Sequence, residues 1–177
     1  MKNKKPKERV LETASELFKK QGFNSTGINQ IVKEAKVAKA SFYDHFPSKD
    51  ELAIHYLQQR HTQWFEGLQN FVDKVNSKKD KIIQAFEYLK YMNEKEDFSG
   101  CVFLNMLSEL KYEQNDAYLI IKNHKQDVRN FFHNLIDSPI LSMEIYLLFE
   151  ACLVESQVFR TQEIIHNAIT IIQQKEF

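Results

Sequence analysis

Four glycines and three prolines are the only strong helix breakers in 177 residues. β architectures need frequent tight turns and draw heavily on both residue types, so this scarcity predicts long helices. It also makes each breaker a landmark: Pro6, Gly22, Gly27, Pro47, Gly67, Gly100 and Pro139. Apolar residues form 43% of the chain, enough for a real core. No stretch shows strand-like alternation. The predicted fold class is all-α, with about nine helices.

Helical spacing fixes where those helices fall. Val10, Leu11, Ala14, Leu17 and Phe18 mark one helix over 6–20, between Pro6 and Gly22. Ile28, Ile31, Val32 and Ala35 predict a short second helix capped by Ser25, Thr26 or Gly27. A third, Lys39–Phe46, is closed by Pro47. Ser48 and Glu51 stand at capping-box spacing and open a helix that carries apolar residues as far as Val75. Unbroken, it is roughly 40 Å long at about 1.5 Å per residue, with Gly67 as a candidate bend. Five more helices are predicted near 79–95, 101–113, 116–136, 142–159 and 161–174.

The last two helices are apolar almost all round, and such helices must be covered on several sides. Either the subunit's own core or a partner subunit supplies the cover. The position at the chain end favours a partner, with Phe149, Leu153, Ile165, Ile169 and Ile172 as the expected homodimer interface. On that reading, charges at Ile165 and Ile169 yield monomers.

The formal net charge is zero, yet residues 1–50 hold 11 Lys/Arg against 6 Asp/Glu, and the remainder carries the opposite excess. A basic first quarter points to a local polyanion site, or to a solvated tail built from Lys2, Lys4, Lys5 and Lys7. Two cysteines make no disulfide scaffold, and neither a signal-peptide pattern nor an 18-residue apolar run occurs. A soluble, cytoplasmic protein without membrane contact is expected.

Residues 26–49 carry the chemistry. Two helices of about seven residues flank a turn at Lys36-Val37-Ala38, with Ile31, Ala35, Val37 and Phe42 as the small core between them. Helices this short are marginal alone and need Leu17 and Phe18 as a third wall. This is helix-turn-helix construction, in which the second helix enters the major groove of double-stranded DNA. Lys39, Ser41, Tyr43, Asp44 and His45 stay free to meet phosphates and base edges, and Lys49 lies in the first turn of the next helix. The expected division is a DNA-binding domain over 1–50 and a larger helical domain over 51–177.

The run from Gly22-Phe23 through Thr26, Ile31-Val32 and Ala35-Lys-Val-Ala-Lys-Ala-Ser-Phe-Tyr-Asp-His-Phe-Pro-Ser-Lys-Asp-Glu-Leu52 closely resembles the TetR family of bacterial regulators. About a quarter of the chain takes part. Three positions depart from the family pattern. Lys36 stands at a turn glycine, Ala38 at the serine that caps the recognition helix, and Ala40 at a second glycine. The resemblance implies that Thr26 holds a phosphate, that Lys39, Tyr43, His45 and Lys49 meet the DNA backbone, and that Ala40, Ser41 and Phe42 lie nearest the bases. It also implies a homodimeric regulator, by family default a repressor. Such a regulator sits on a palindromic operator until a small-molecule or electrophile signal releases it.

For the unknown effector, the resemblance implies a pocket among the middle helices. Candidate contacts are His61, Trp64, Tyr88, Cys101, Asn105, His124 and Phe149. Cys101 follows Gly100 at a predicted helix start, where a thiol is readily activated. Gly-Cys…Asn105 resembles a family subset, some members of which sense electrophiles or oxidants. The bland alternative for Cys101 is a small buried hydrophobe, which is also the reading for Cys152.

An enzyme is not expected: no phosphate-binding glycine loop or nucleophile elbow occurs. Glu163 and His166 form a lone Glu-x-x-His pair, where a di-iron bundle needs two plus further glutamates. No metal and no cofactor are expected. A helical adaptor that docks another protein through its apolar end is the remaining rival.

Overall fold

The computed structural model describes residues 4–110 and 116–177. Among these it contains nine helices and no strand. They are α1 (Pro6–Gln21), α2 (Ile28–Ala35), α3 (Lys39–His45), α4 (Lys49–Val72), α5 (Lys78–Lys95), α6 (Val102–Glu109), α7 (Asp116–Leu135), α8 (Pro139–Phe159) and α9 (Glu163–Gln173). No described helix is long and apolar enough to cross a membrane.

Local signals explain most boundaries. Pro6 occupies the first turn of α1, where its missing N–H costs nothing, and Glu8 accepts the Lys5 N–H at 3.1 Å. Gly27 caps α2, the last of the three expected residues. The Ser48 hydroxyl accepts the Glu51 N–H at 3.0 Å and opens α4. Ser77 caps α5 through Asp80. α8 begins at Pro139 rather than near 142, because Ser138 caps it and a proline is favourable at the first helical position. α6 ends at Glu109, short of the expected 113; the end of that prediction, like the Asn115 break, falls in 111–115, outside the described residues.

The chain divides into two compact units. One groups the residues up to His61 with Val102–Lys122; the other groups Thr62–Cys101 with Asn123–Phe177. The division differs from 1–50 and 51–177: α4 contributes to both units, and α6 belongs with the N-terminal helices.

In the first unit α1 packs on α2 and α3, and α2 on α3. Val10, Ala14, Leu17 and Phe18 meet Ile31, Ala35 and Phe42 in its buried core, which is the predicted third wall. Val37, expected in this core, is only half-buried. Phe18 holds Phe23 and Tyr56 edge-on, each at a 5.4 Å centroid separation.

In the second unit α5, α8 and α9 pack on one another. Its core centres on Phe86, Phe132 and Phe149, with Phe149 5.3 Å from each of the other two rings. Gly67 does not interrupt α4. The Tyr88 ring and hydroxyl lie where a Cβ would stand, so a close approach, not a bend, requires this glycine.

Candidate nucleic-acid interface

The α2–α3 corner turns on Lys36, which adopts left-handed geometry at φ 54° and ψ 48°. Any side chain is strained there by about 1 kcal/mol relative to glycine. Hydrogen bonds from the backbone and from Arg9 hold the corner. Arg9 donates from Nη1 to the Lys36 carbonyl at 3.1 Å, and the Val37 N–H reaches the Val32 carbonyl at 3.2 Å. Ala38 supplies no side-chain cap to α3, as its methyl group dictates.

Seven residues cannot hold a helix in water by themselves, so α3 depends on anchors. Phe42 and Phe46 are those anchors, both fully buried. The opposite face carries Lys39, Ala40, Tyr43, Asp44 and His45, all exposed, with Ser41 half-buried. The Tyr43 ring stands edge-on to Phe42 at 5.3 Å, which fixes its direction while leaving it 43% exposed.

The turn between α1 and α2 is held from two sides. Lys49 donates to the carbonyls of Phe23 at 3.0 Å and Thr26 at 3.2 Å, and its ammonium lies 4.1 Å from the centre of the Phe23 ring. Glu109, at the end of α6, accepts the N–H groups of Phe23 at 3.0 Å and Asn24 at 2.6 Å. The Thr26 hydroxyl donates to the Gly22 carbonyl at 2.6 Å.

These contacts redistribute the expected DNA contacts. Phe42 is core, because a seven-residue helix needs its large apolar side chains for anchorage. Thr26 is fully buried and its hydroxyl is committed to Gly22, so it offers no side chain to a phosphate. Lys49 points into the turn that it braces. Lys39, Ala40, Tyr43 and His45 are exposed on α3, and Ser41 is half-buried. Glu109 and Arg9 escaped the sequence reading, since their partners lie 85 and 27 residues away.

Among the expected effector contacts, Trp64 gathers three in the second unit. Its ring lies 5.6 Å from Tyr88, 5.3 Å from His124 and 6.4 Å from Phe149. Cys101 belongs to that unit too, whereas His61 and Asn105 belong to the first. Beside this cluster Lys125 and Glu150 form a mostly buried ion pair at 2.7 Å. Burial lowers the Lys125 pKa, but Cys101, Glu150 and Tyr146 outweigh it, so the net shift is upward and the ammonium is favoured. Glu150 Oε1 is buried and has no hydrogen-bond partner among the described residues. Cys152 is fully buried and burial pushes its thiol up to about 12, which makes it core. The described residues contain no cluster of three metal-ligating side chains.

Residues 10–56 match the family described as bacterial regulatory proteins, tetR family. These residues are similar to the DNA-binding segment of the TetR family. They include the whole of α2, the Lys36 corner and α3. YxaF of Bacillus subtilis, an uncharacterized HTH-type transcriptional regulator, is 40% identical over 89 residues, or 42% of this chain and 47% of that one. The chain spans about half or less of the curated relatives that it matches through this segment. IcaR of Staphylococcus aureus, a negative transcriptional regulator of the biofilm operon icaADBC, is 24% identical over 96% of this chain and 100% of its own length. SCO4454, a TetR-family regulator from Streptomyces coelicolor, shares the fold with a TM-score of 0.88 at 21% identity, over 95% of this chain and 92% of that one.

The C-terminal helices reveal a further redistribution. Phe149, Ile165, Ile169 and Ile172 are buried inside their own subunit, and Leu153 is partly buried against the same core. The apolar surface of α8 is elsewhere. Ile140, Met143, Leu147, Val154 and Val158 recur at helical spacing, and all are exposed. A helix apolar nearly all round has two faces to cover, and the residues expected at the partner cover the inner one.

Proposed function

We propose that this chain is a homodimeric transcription regulator, with α3 of each protomer seated in the major groove of a palindromic operator. The observation that carries the reading is the division of α3. Phe42 and Phe46 are spent on anchorage, while Lys39, Ala40, Ser41, Tyr43 and His45 face outward on one short helix. Such a face suits contacts to phosphates and base edges, and its placement within the family-matched residues supports the same assignment. The exposed stripe Ile140–Val158 on α8 is the proposed dimer face. Closed twofold pairing would set two recognition helices about 34–36 Å apart, one turn of duplex.

Selection of bound sequences from random duplex DNA tests this reading. A palindrome with half-sites one helical turn apart is the expected product. Recovery of unrelated sequences, equally retained by Tyr43→Ala, would defeat it.

The second unit is proposed to take up the effector at the Trp64, Tyr88, His124 and Phe149 cluster, and ligand would then shift the population toward a state that fits the operator less well. A second reading, the electrophile signal, rests on Cys101, a free and half-buried thiol of the second unit. N-ethylmaleimide should release wild-type protein from its selected duplex, while Cys101→Ser should bind the duplex and ignore the reagent. Equal release of both proteins would assign the signal elsewhere.

A further inference from the structure

We propose that Glu109 is a positioning residue: its carboxylate clasps the turn between α1 and α2, ties that turn to the end of α6, and so fixes the presentation of α3. The inference rests on the DNA-binding reading above.

Three hydrogen bonds define the clasp. Glu109 Oε1 accepts from the Phe23 backbone at 3.0 Å, Oε2 accepts from the Asn24 backbone at 2.6 Å, and the Glu109 carbonyl accepts from Asn24 Nδ2 at 3.1 Å. Two successive N–H groups meet the two oxygens of one carboxylate, a charge-assisted arrangement stronger than neutral pairing. Gly22 sits at φ +85° just before them, and a Cβ there would stand 2.7 Å from Glu109 Oε1. That glycine therefore serves the carboxylate as well as the backbone.

The carboxylate is not there for the sake of its own helix. It closes the eight-residue α6, at the end where the helix dipole disfavours negative charge. Its favourable partners are the amides 85 and 86 residues away. On the far side of the same turn, Lys49 takes the carbonyls of Phe23 and Thr26. The peptide groups of one short turn are thus gripped by an anion from α6 and a cation from α4. With both grips closed, the turn that leads into α2 and α3 has little freedom to rotate against α6. With the Glu109 carboxylate removed, Lys49, the Thr26–Gly22 bond and the Asn24 Nδ2 bond to the residue 109 carbonyl remain, but the Phe23 and Asn24 N–H groups lose their acceptors and the recognition helix gains angular play.

Angular play has a signature distinct from plain destabilisation. A fixed pair of heads discriminates sharply between half-site spacings, whereas loosened heads tolerate several. The test uses full-length wild-type protein, Glu109→Ala and Glu109→Gln, the last keeping shape but losing charge and one acceptor. Amide hydrogen exchange is followed at Phe23 and Asn24, and affinity is measured for the selected duplex and for versions with one base pair added or removed between half-sites. In Glu109→Ala, exchange at the two amides should rise at least about tenfold while α8 and α9 keep their protection. Its penalty for altered spacing should fall at least about threefold, with Glu109→Gln intermediate. Unchanged exchange at Phe23 and Asn24 would overturn the clasp itself. Faster exchange with an equal affinity loss on every spacing would overturn the positioning role. A wild-type protein that prefers no duplex would overturn the regulator reading, and this role with it.

Discussion

α3 and α8 each carry a face that their own subunit leaves open, and the chemistry of the two faces differs completely. α3 buries two phenylalanines and exposes Lys39, Tyr43 and His45. α8 buries Ile145, Phe149 and Cys152 and exposes a second apolar stripe, with Leu147 at 58% and Val158 at 65%. A polar, partly cationic face on a short anchored helix suits a hydrated polyanion. An apolar stripe running from Ile140 to Val158 suits another protein surface, because water is the unfavourable alternative. Polarity of the unclaimed face, not apolarity of the helix, distinguishes the partners.

The sharpest way to break this comparison is to place charge on either side of α8's neighbourhood. Ile165 is fully buried, so Ile165→Glu should cost more than about 4 kcal/mol and unfold the subunit, rather than yield a folded monomer. Leu147→Glu with Val158→Glu should instead keep helical circular dichroism and sediment as one chain. If the double variant still sediments as a dimer, the α8 stripe is not the interface.

Within α3 the same contrast holds on a smaller scale. Phe42→Ala should lose about 3–5 kcal/mol of stability through the cavity it leaves. Tyr43→Ala should melt like wild type and lose about tenfold or more in duplex affinity, since a good contact contributes roughly 1–3 kcal/mol. Swapped outcomes would place Tyr43 in the core and Phe42 on the duplex.

The smallest effects concern the corner. Lys36→Gly relieves a left-handed lysine and should add about 1 kcal/mol; Ala38→Ser supplies the missing cap and should add roughly 0.5–1 kcal/mol. Each should raise the melting temperature by about 2–4 °C. A drop for Lys36→Gly would mean that the Lys36 side chain contributes more than its backbone strain removes.

The first three helices and the start of the fourth are legible because their signals are local. Pro6, Gly22, the apolar spacing of α1 and the Ser48–Glu51 pair all act within a few residues, and Lys36 and Ala38 declared their strain by replacing a glycine and a serine. Pro139 was ambiguous, since proline both ends one helix and begins the next. The inner and outer faces of α8 were not separable, because a helix apolar on nearly all sides gives periodicity nothing to resolve. The sequence allows Phe42 either in the core or near the bases, and burial decides for the core. Glu109 was invisible for another reason: its partners are remote in sequence, and one acidic residue at the end of a helix carries no local pattern.

The central claim is that two chains, joined through α8, present two α3 helices to one duplex. Titration of the selected palindrome with purified protein, followed by sedimentation at several salt concentrations, tests it most directly. The expected result is two chains per duplex, with log affinity falling linearly with log salt and a marked preference over a scrambled duplex. One chain per duplex, or equal affinity for the scrambled sequence, would contradict it.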